Sequence, residues 1–483
     1  MGCCIRCNWP GTTIFRQRAG GFRKRALPQS QSICKCQRVK CVQLADRCRN
    51  YHRNSWWHIN FLIYLWCVIL LVAHHKFLIM TRSILLIIAL FLTAISFGQT
   101  ADDKAKIANR DKFLFGVTTD NRNFVETVPF TLVNNLIFTT VQIDGTSYNF
   151  LFDTGAVTIL SSRLREKLHL KEAMRNTLID GSAQEQTETF YTLNKLKLGT
   201  VNFSNIGAAS MNLAKMSEQF CTPIDGIIGA NLMRSSYWKI DYKNNVLIFS
   251  DKKIKPTGKT YELPFEENFS GTPLIKLFFG NYNFETIFDT GNNQSFNFPD
   301  SLYFKSSASK NKILRKGSGN TEFTLYGNRS IVNHASILDS VTIGKRLFQK
   351  QVVRISPSPL PLLGNKFLMQ FDEVILDWKK HLIHLPFEYN QEEPLKTLGF
   401  DPLFIDGKVV VSFIWEGSVA QIKGLELGDT ITAIDGQSLI AITAEQWCTL
   451  RDAVKEKSAL AFKVLKKDGS VALYELSRYT LLE

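Results

Sequence analysis

The chain has 483 residues, ten cysteines and a formal charge of +15, a composition that at face value points to nucleic acid, metal or a disulfide framework. Its distribution removes those readings: eight cysteines precede Met80, and residues 1–82 hold 14 Lys/Arg against the single acid Asp46. Residues 83–483 carry 44 basic and 42 acidic side chains, which leaves no electrostatic footprint for nucleic acid.

Residues 1–79 read as an upstream extension that is not native to the working protein and is disordered. The pairs among Cys3, Cys4, Cys7, Cys34, Cys36, Cys41, Cys48 and Cys67 lack zinc-finger spacing. The apolar run from Phe61 to Ala73 has 13 residues, short for a membrane span, and His74-His75-Lys76 interrupts it. Residues 80–98 read as a signal peptide: Arg82 supplies the positive start, Ile84 to Ile95 the apolar core, and Ser96-Phe97-Gly98 the small residues before a cut. The expectation is export to the periplasm or outside the cell, with no membrane span in the mature chain. Only Cys221 and Cys448 follow, and they read as small buried core residues rather than a disulfide or a nucleophile.

Residues 99–127 are polar and are expected to be a loosely ordered leading segment. Two stretches then follow, 128–250 and 261–386, rich in short alternating strands such as Thr139-Thr140-Val141-Gln142-Ile143, with Asp144-Gly145 as a turn. The stretch from Lys252 to Lys259 connects them. The two halves repeat one another. Pro129-Phe130 stands 24 residues before Asp153, and Pro264-Phe265 stands 25 before Asp289. Gly229 of Ile227-Ile228-Gly229 follows Asp153 by 76 residues, and Gly364 of Leu362-Leu363-Gly364 follows Asp289 by 75. A period near 136 residues suits a duplicated domain rather than a solenoid.

Each half carries Asp-Thr-Gly at the end of an apolar strand: Asp153-Thr154-Gly155 and Asp289-Thr290-Gly291. One such tripeptide means little, but two at equivalent places suggest two lobes that each present one carboxylate to a shared site. Two carboxylates about 3 Å apart cannot both ionise cheaply, so the pair would hold one proton and activate a water. Thr154 and Thr290 would bond across the lobes, and Gly155 and Gly291 would let the loops turn sharply. These loops resemble those of pepsin-type proteases, and that resemblance implies a flap hairpin in each lobe, at Gly181-Ser182 and at Gly317-Ser318. Where the pepsins that these loops resemble carry a Ser or Thr hydroxyl to steady an ionised aspartate, this chain has Ala156 and Asn292, which implies a pH optimum less acidic than theirs. No His-Glu-x-x-His appears, and neither metal nor cofactor is expected.

Phe152-Asp153-Thr154-Gly155-Ala156 resembles a retropepsin active loop. Asp225-Gly226-Ile227-Ile228-Gly229 and Leu363-Gly364-Asn365 resemble the second landmark of pepsin-type lobes. After a linker at 389–394, residues 395–483 resemble the PDZ domains of bacterial proteases, chiefly over 407–436 (GKVVVSFIWEGSVAQIKGLELGDTITAIDG). A helix from Thr443 to Lys455 and a hairpin at Lys467-Asp468-Gly469 complete that pattern, with Leu398-Gly399-Phe400 as the candidate carboxylate loop. The combination is similar to bacterial secreted aspartyl proteases. It implies a mainly β protein of two duplicated acid-protease barrel lobes and a PDZ domain, acting as an aspartic endopeptidase through Asp153 and Asp289. The implied partners are polypeptide substrates and C-terminal peptides at the PDZ domain, and the implied state is a monomer. Two alternatives stay open on the residues alone: a non-catalytic periplasmic protein that docks polypeptides, and lobes that do not face one another and act only as dimers.

Overall fold

A computed structural model describes residues 101–483 apart from Ser182, Ala183 and Pro359. The upstream extension and the signal segment lie outside the described residues. Among the described residues no helix is long and apolar enough to cross a membrane.

The two halves are joined by an antiparallel sheet of six strands. From lobe 1 come Val125–Val133, Val246–Ser250 and Tyr237–Asp241, and from lobe 2 come Glu373–Asp377, Leu382–Pro386 and Thr260–Glu267. The central pair crosses between lobes, with Trp238 opposite Leu376 and Ile240 opposite Val374. Its flanks repeat on either side, Trp238 opposite Phe249 and Leu376 opposite Ile383. All five residues of Glu373–Asp377 are buried, which is why this segment reads as a continuous apolar run rather than an alternating one. One apolar core, including Phe152, Trp238, Phe249, Phe288, Phe296 and Phe367, runs through both halves. Trp238 stacks on Phe249 at 4.7 Å between centroids, so its area is buried where the lobes meet. The lobes of a single chain therefore face one another.

The leading segment differs from its expected disorder. Ala101–Phe115 is a helix, followed by the short strand Thr118–Thr119, which pairs with Ser204 and Phe203 of lobe 1. Its C-terminal turn is the anchor: Leu114 is buried, Phe113 meets Phe190 edge-on at 6.2 Å, and the Arg234 guanidinium lies 4.3 Å from the Phe115 ring centre. Gly207 makes room, since a Cβ there would lie 2.7 Å from the Phe113 ring. The polar composition described the helix's outer face and hid three apolar residues that dock it.

The C-terminal domain, which resembles a PDZ domain in sequence, has its own core, in which Phe400, Val411, Ile431, Trp447, Phe462 and Leu476 converge. The helix expected from Thr443 runs over Ala444–Val454 and begins with a reciprocal capping box between Thr443 and Gln446. The expected hairpin joins Ala459–Leu465 to Val471–Ser477.

This domain is fastened to both lobes. On lobe 2, Gly317, Ser318 and Gly319 pair antiparallel with Trp415, Ile414 and Phe413, so one sheet continues from lobe into PDZ domain. Ala335, Phe413, Trp415, Leu481 and Leu482 bury a second small core there, and the Arg354 guanidinium sits 4.9 Å from the Trp415 ring centre. On lobe 1, Cys221 is bonded to Cys448. This corrects the expectation of two unpaired core cysteines: they lie 227 residues apart in sequence, but the domains bring their Cα atoms to 5.4 Å.

Candidate active site

Each aspartate ends a strand that lies beside its own lobe's apolar-apolar-Gly triplet. Phe150–Asp153 runs parallel to Gly226–Gly229, and Ile287–Asp289 parallel to Leu362–Gly364, so each aspartate pairs with a glycine. Those glycines are required by crowding. A Cβ on Gly229 would lie 2.1 Å from the Val157 carbonyl carbon, and one on Gly364 would lie 2.1 Å from the Gln294 oxygen.

The structure brings Asp153, Thr154, Gly155, Asp289, Thr290 and Gly291 together. Thr154 donates its N–H to Thr290 Oγ1 at 3.0 Å and its hydroxyl to the Phe288 carbonyl at 2.6 Å. Thr290 reciprocates, through its N–H to Thr154 Oγ1 at 3.0 Å and its hydroxyl to the Phe152 carbonyl at 2.9 Å. All four bonds are buried and all four cross between lobes, so they fix the distance between the two loops. Thr154→Val keeps the shape and deletes the hydroxyl, leaving the Phe288 carbonyl and the Thr290 N–H without partners. The expected cost is about 3 kcal/mol in urea denaturation, against about 1 kcal/mol for Thr154→Ser, which keeps the hydroxyl.

Gly155 donates its N–H to Asp153 Oδ1 at 2.7 Å, and Gly291 donates to Asp289 Oδ1 at 2.9 Å. Each glycine also touches the carboxyl of the other lobe: a Cβ on Gly155 would lie 2.6 Å from Asp289 Oδ1, and one on Gly291 would lie 2.3 Å from Asp153 Cγ. The third member of each tripeptide is thus set by two demands, a turn on its own side and a carboxyl pressed against it from the opposite side.

Both carboxyls are half-buried. Burial raises Asp153 above its ordinary value, offset in part by the N–H groups of Gly155, Ala156 and Gly291 and by Asp289. Burial lifts Asp289 well above its ordinary value, and the neighbouring Asp153 charge adds to this. Both carboxyls are thus raised, and because two such close groups cannot both ionise cheaply, the pair shares one proton. Asn292 contributes no side-chain donor, because its amide is turned to Asn297 Oδ1 at 3.0 Å.

Two buried asparagines support the loops, and the sequence reading gave neither a role. Asn231 Oδ1 accepts from the Thr158 N–H at 2.7 Å, and its Nδ2 donates to the Gly207 carbonyl at 2.8 Å. Asn365 accepts from the Tyr242 hydroxyl at 2.5 Å and donates to the Asn135 carbonyl at 2.7 Å, tying lobe 2 to lobe 1. Their signal was an amide within two residues of each landmark glycine.

Each lobe carries a long hairpin after its aspartate loop. In lobe 1, Glu172–Ile179 and Glu185–Leu198 close a turn whose Asp180 carboxylate accepts from the Gln184 N–H at 2.8 Å. Gly181 lies at that turn, where its carbonyl accepts from the Ser358 hydroxyl of lobe 2 at 2.9 Å, while Ser182 falls outside the described residues. The second expected flap is corrected. Gly317 and Ser318 lie within the strand Leu314–Thr324, and the turn comes later, at Leu325 and Tyr326. Gly-Ser-Gly has turn composition, but here its glycines serve a close crossing: a Cβ on Gly317 would meet the Phe413 ring at 2.3 Å, and one on Gly319 the Ser412 carbonyl at 2.1 Å. Leu325 and Tyr326 pack on lobe 1 in the cluster that holds Leu178 and Phe190. Burial pushes the Tyr326 phenol up, and the charges of Glu188 and Asp180 on the lobe 1 hairpin push the same way.

In the PDZ domain Leu398 and Phe400 are core residues. Gly399, at φ +93°, donates its N–H to Thr397 Oγ1 at 3.0 Å and accepts from the Trp415 N–H at 2.9 Å.

Residues 139–232, covering most of lobe 1, match the family model described as an aspartyl protease, and residues 390–465 match that of a PDZ domain. No curated protein matches the chain. The protein is mainly β, an aspartyl protease domain followed by a C-terminal PDZ domain.

Proposed function

We propose that the chain is an aspartic endopeptidase that hydrolyses polypeptides with a water held between Asp153 and Asp289. The observation that carries this reading is the pair itself, two carboxyls pressed against each other's loops and tied by four buried threonine bonds. In the resting enzyme Asp153 is ionised and Asp289 protonated. Asp153 takes a proton from the water as its oxygen attacks the peptide carbonyl carbon, and Asp289 donates its proton to the carbonyl oxygen, giving a tetrahedral diol. Collapse of the diol returns a proton to the leaving nitrogen and restores the pair. Rigid loops limit the reorganisation each step requires. The flaps cover the chain and exclude bulk water.

Both aspartates come from one chain, which supports a monomer as the active unit. Export is part of the proposal: the signal-like segment at 80–98 and the bond between Cys221 and Cys448 both suit an oxidising compartment such as the periplasm. The test is hydrolysis of a mixed peptide library by purified residues 99–483 from pH 3 to 8, beside Asp153→Asn. Cleavage abolished by the substitution supports the shared pair. Undiminished cleavage, or none at any pH by folded protein, rejects it.

A further inference from the structure

A PDZ domain takes an extended peptide as an added strand, in the groove between one sheet edge and the helix beside it. Here those walls are the strand Phe400–Ile405 and the helix Ala444–Val454, which share a core through Phe400, Phe404, Trp447 and Val454. The strand pairs on one side with Lys408–Trp415. Its other edge is met by lobe 1: Gln219 Nε2 donates to the Phe404 carbonyl at 3.0 Å. The helix wall is met by the same segment. Arg451 donates to the Gln219 carbonyl at 3.1 Å and the Phe220 carbonyl at 3.4 Å, and Cys448 is bonded to Cys221.

These contacts all fall on the C-terminal end of one short helix, Ala214–Phe220, and its cap Cys221. The arrangement suits that end chemically. A helix leaves its last carbonyls without partners, and a guanidinium is a fitting donor for them. Cys221 packs on the PDZ core beside Cys448. The groove strand is also a poor ladder for an outside peptide, since it carries a bulge between Asp401 and Pro402, and Pro402 has no N–H.

We infer that the resident occupant of the PDZ groove is lobe 1's own segment 214–221, and that an outside peptide with a free C-terminal carboxylate gains the groove only when the Cys221–Cys448 bond is broken. Exchange with a dithiol, which leaves two thiols here and a disulfide on the reductant, would let the PDZ domain part from lobe 1 while its strand pairing with Gly317–Gly319 keeps it on lobe 2. The groove is then a thiol-controlled peptide site on a domain that touches both halves of the cleft. The inference does not rest on peptide hydrolysis.

Two readouts on residues 99–483 test it, each on the oxidised protein, the protein reduced with a dithiol, and Cys448→Ser. The first is amide hydrogen exchange. The second is fluorescence anisotropy with a labelled pool of random decapeptides bearing free C-termini, against the same pool amidated. The expected result is that oxidised protein shows no preference for the free-carboxylate pool. Reduced protein and Cys448→Ser should exchange faster over 214–221, 400–405 and 444–454 and bind that pool at least tenfold better than the amidated one. Cys448→Ser with Arg451→Ala should loosen further, while exchange over the PDZ core strand Ala459–Leu465 stays slow. Equal binding by the oxidised protein overturns the inference, because the groove would then be open. Unchanged exchange in the reduced protein and in the double variant overturns it as well, as does loosening without carboxylate-dependent binding.

Discussion

Asp289→Asn is expected to lower peptide hydrolysis by about a thousandfold or more while raising thermal stability at neutral pH. Under the mechanism proposed above, the activity loss follows from removing the proton donor to the peptide oxygen, on the order of what a positioned general acid contributes. The stability gain follows from linkage. Burial and the Asp153 charge raise the folded-state pKa of Asp289 well above its ordinary value of 3.8. A carboxyl of that kind binds its proton more tightly folded than unfolded, so its contribution is full below the unfolded value and is lost as pH rises toward the folded one. Asparagine does not titrate and escapes that loss. The melting-temperature difference between variant and wild type should therefore grow from pH 4 to pH 7 and shrink toward acid. A difference that is constant with pH would show that Asp289 is not held protonated by its surroundings. The same shifts set the rate profile. Because both carboxyls are raised, the window in which the pair holds one proton moves upward, and hydrolysis should peak above the pepsin-like range. A peak below about pH 3 would refute this.

Cys448→Ser is expected to carry the largest stability cost of any single substitution away from the cleft. The bond spans 227 residues, and the loop-closure entropy for that length is about 5 kcal/mol. Guanidinium unfolding of the oxidised protein and the variant measures it. Under reducing conditions the two should converge, since wild type then loses the same constraint. A gap that persists in reductant would place the cost in local packing of the serine rather than in the covalent link.

The reach of the sequence differed from site to site for identifiable reasons. The juxtaposition of the two aspartates was legible because the same three residues recur at equivalent places, and each apolar-apolar-Gly landmark marks a glycine pressed beside an aspartate strand. The PDZ strands were legible through their turn glycines. The disulfide was not, because two cysteines in different domains carry no spacing signal and only the docking of Ala214–Phe220 on Ala444–Val454 makes them neighbours. The second flap turn was misplaced because Gly317 and Gly319 look the same in sequence whether they bend the chain or admit a crossing strand. The leading helix was hidden by composition, its anchor being three residues in fifteen. Asn231 and Asn365 show only as common polar residues until burial reveals that each must be satisfied.

The strand pairing between Gly317–Gly319 and Phe413–Trp415 also bears on how this protein can be cut down for study. Linker-like composition at 389–394 invites truncation to the two lobes alone. Such a fragment would present the bare main chain of Gly317–Gly319 as an unprotected edge, next to Ala335, Ile337 and Val352, which the PDZ domain otherwise covers. A glycine-rich edge has no side chains to block another chain from adding to it, and the adjoining apolar patch favours that addition. Residues 99–390 should therefore self-associate in light scattering where 99–483 does not, and the missing domain acts as a permanent cover against aggregation.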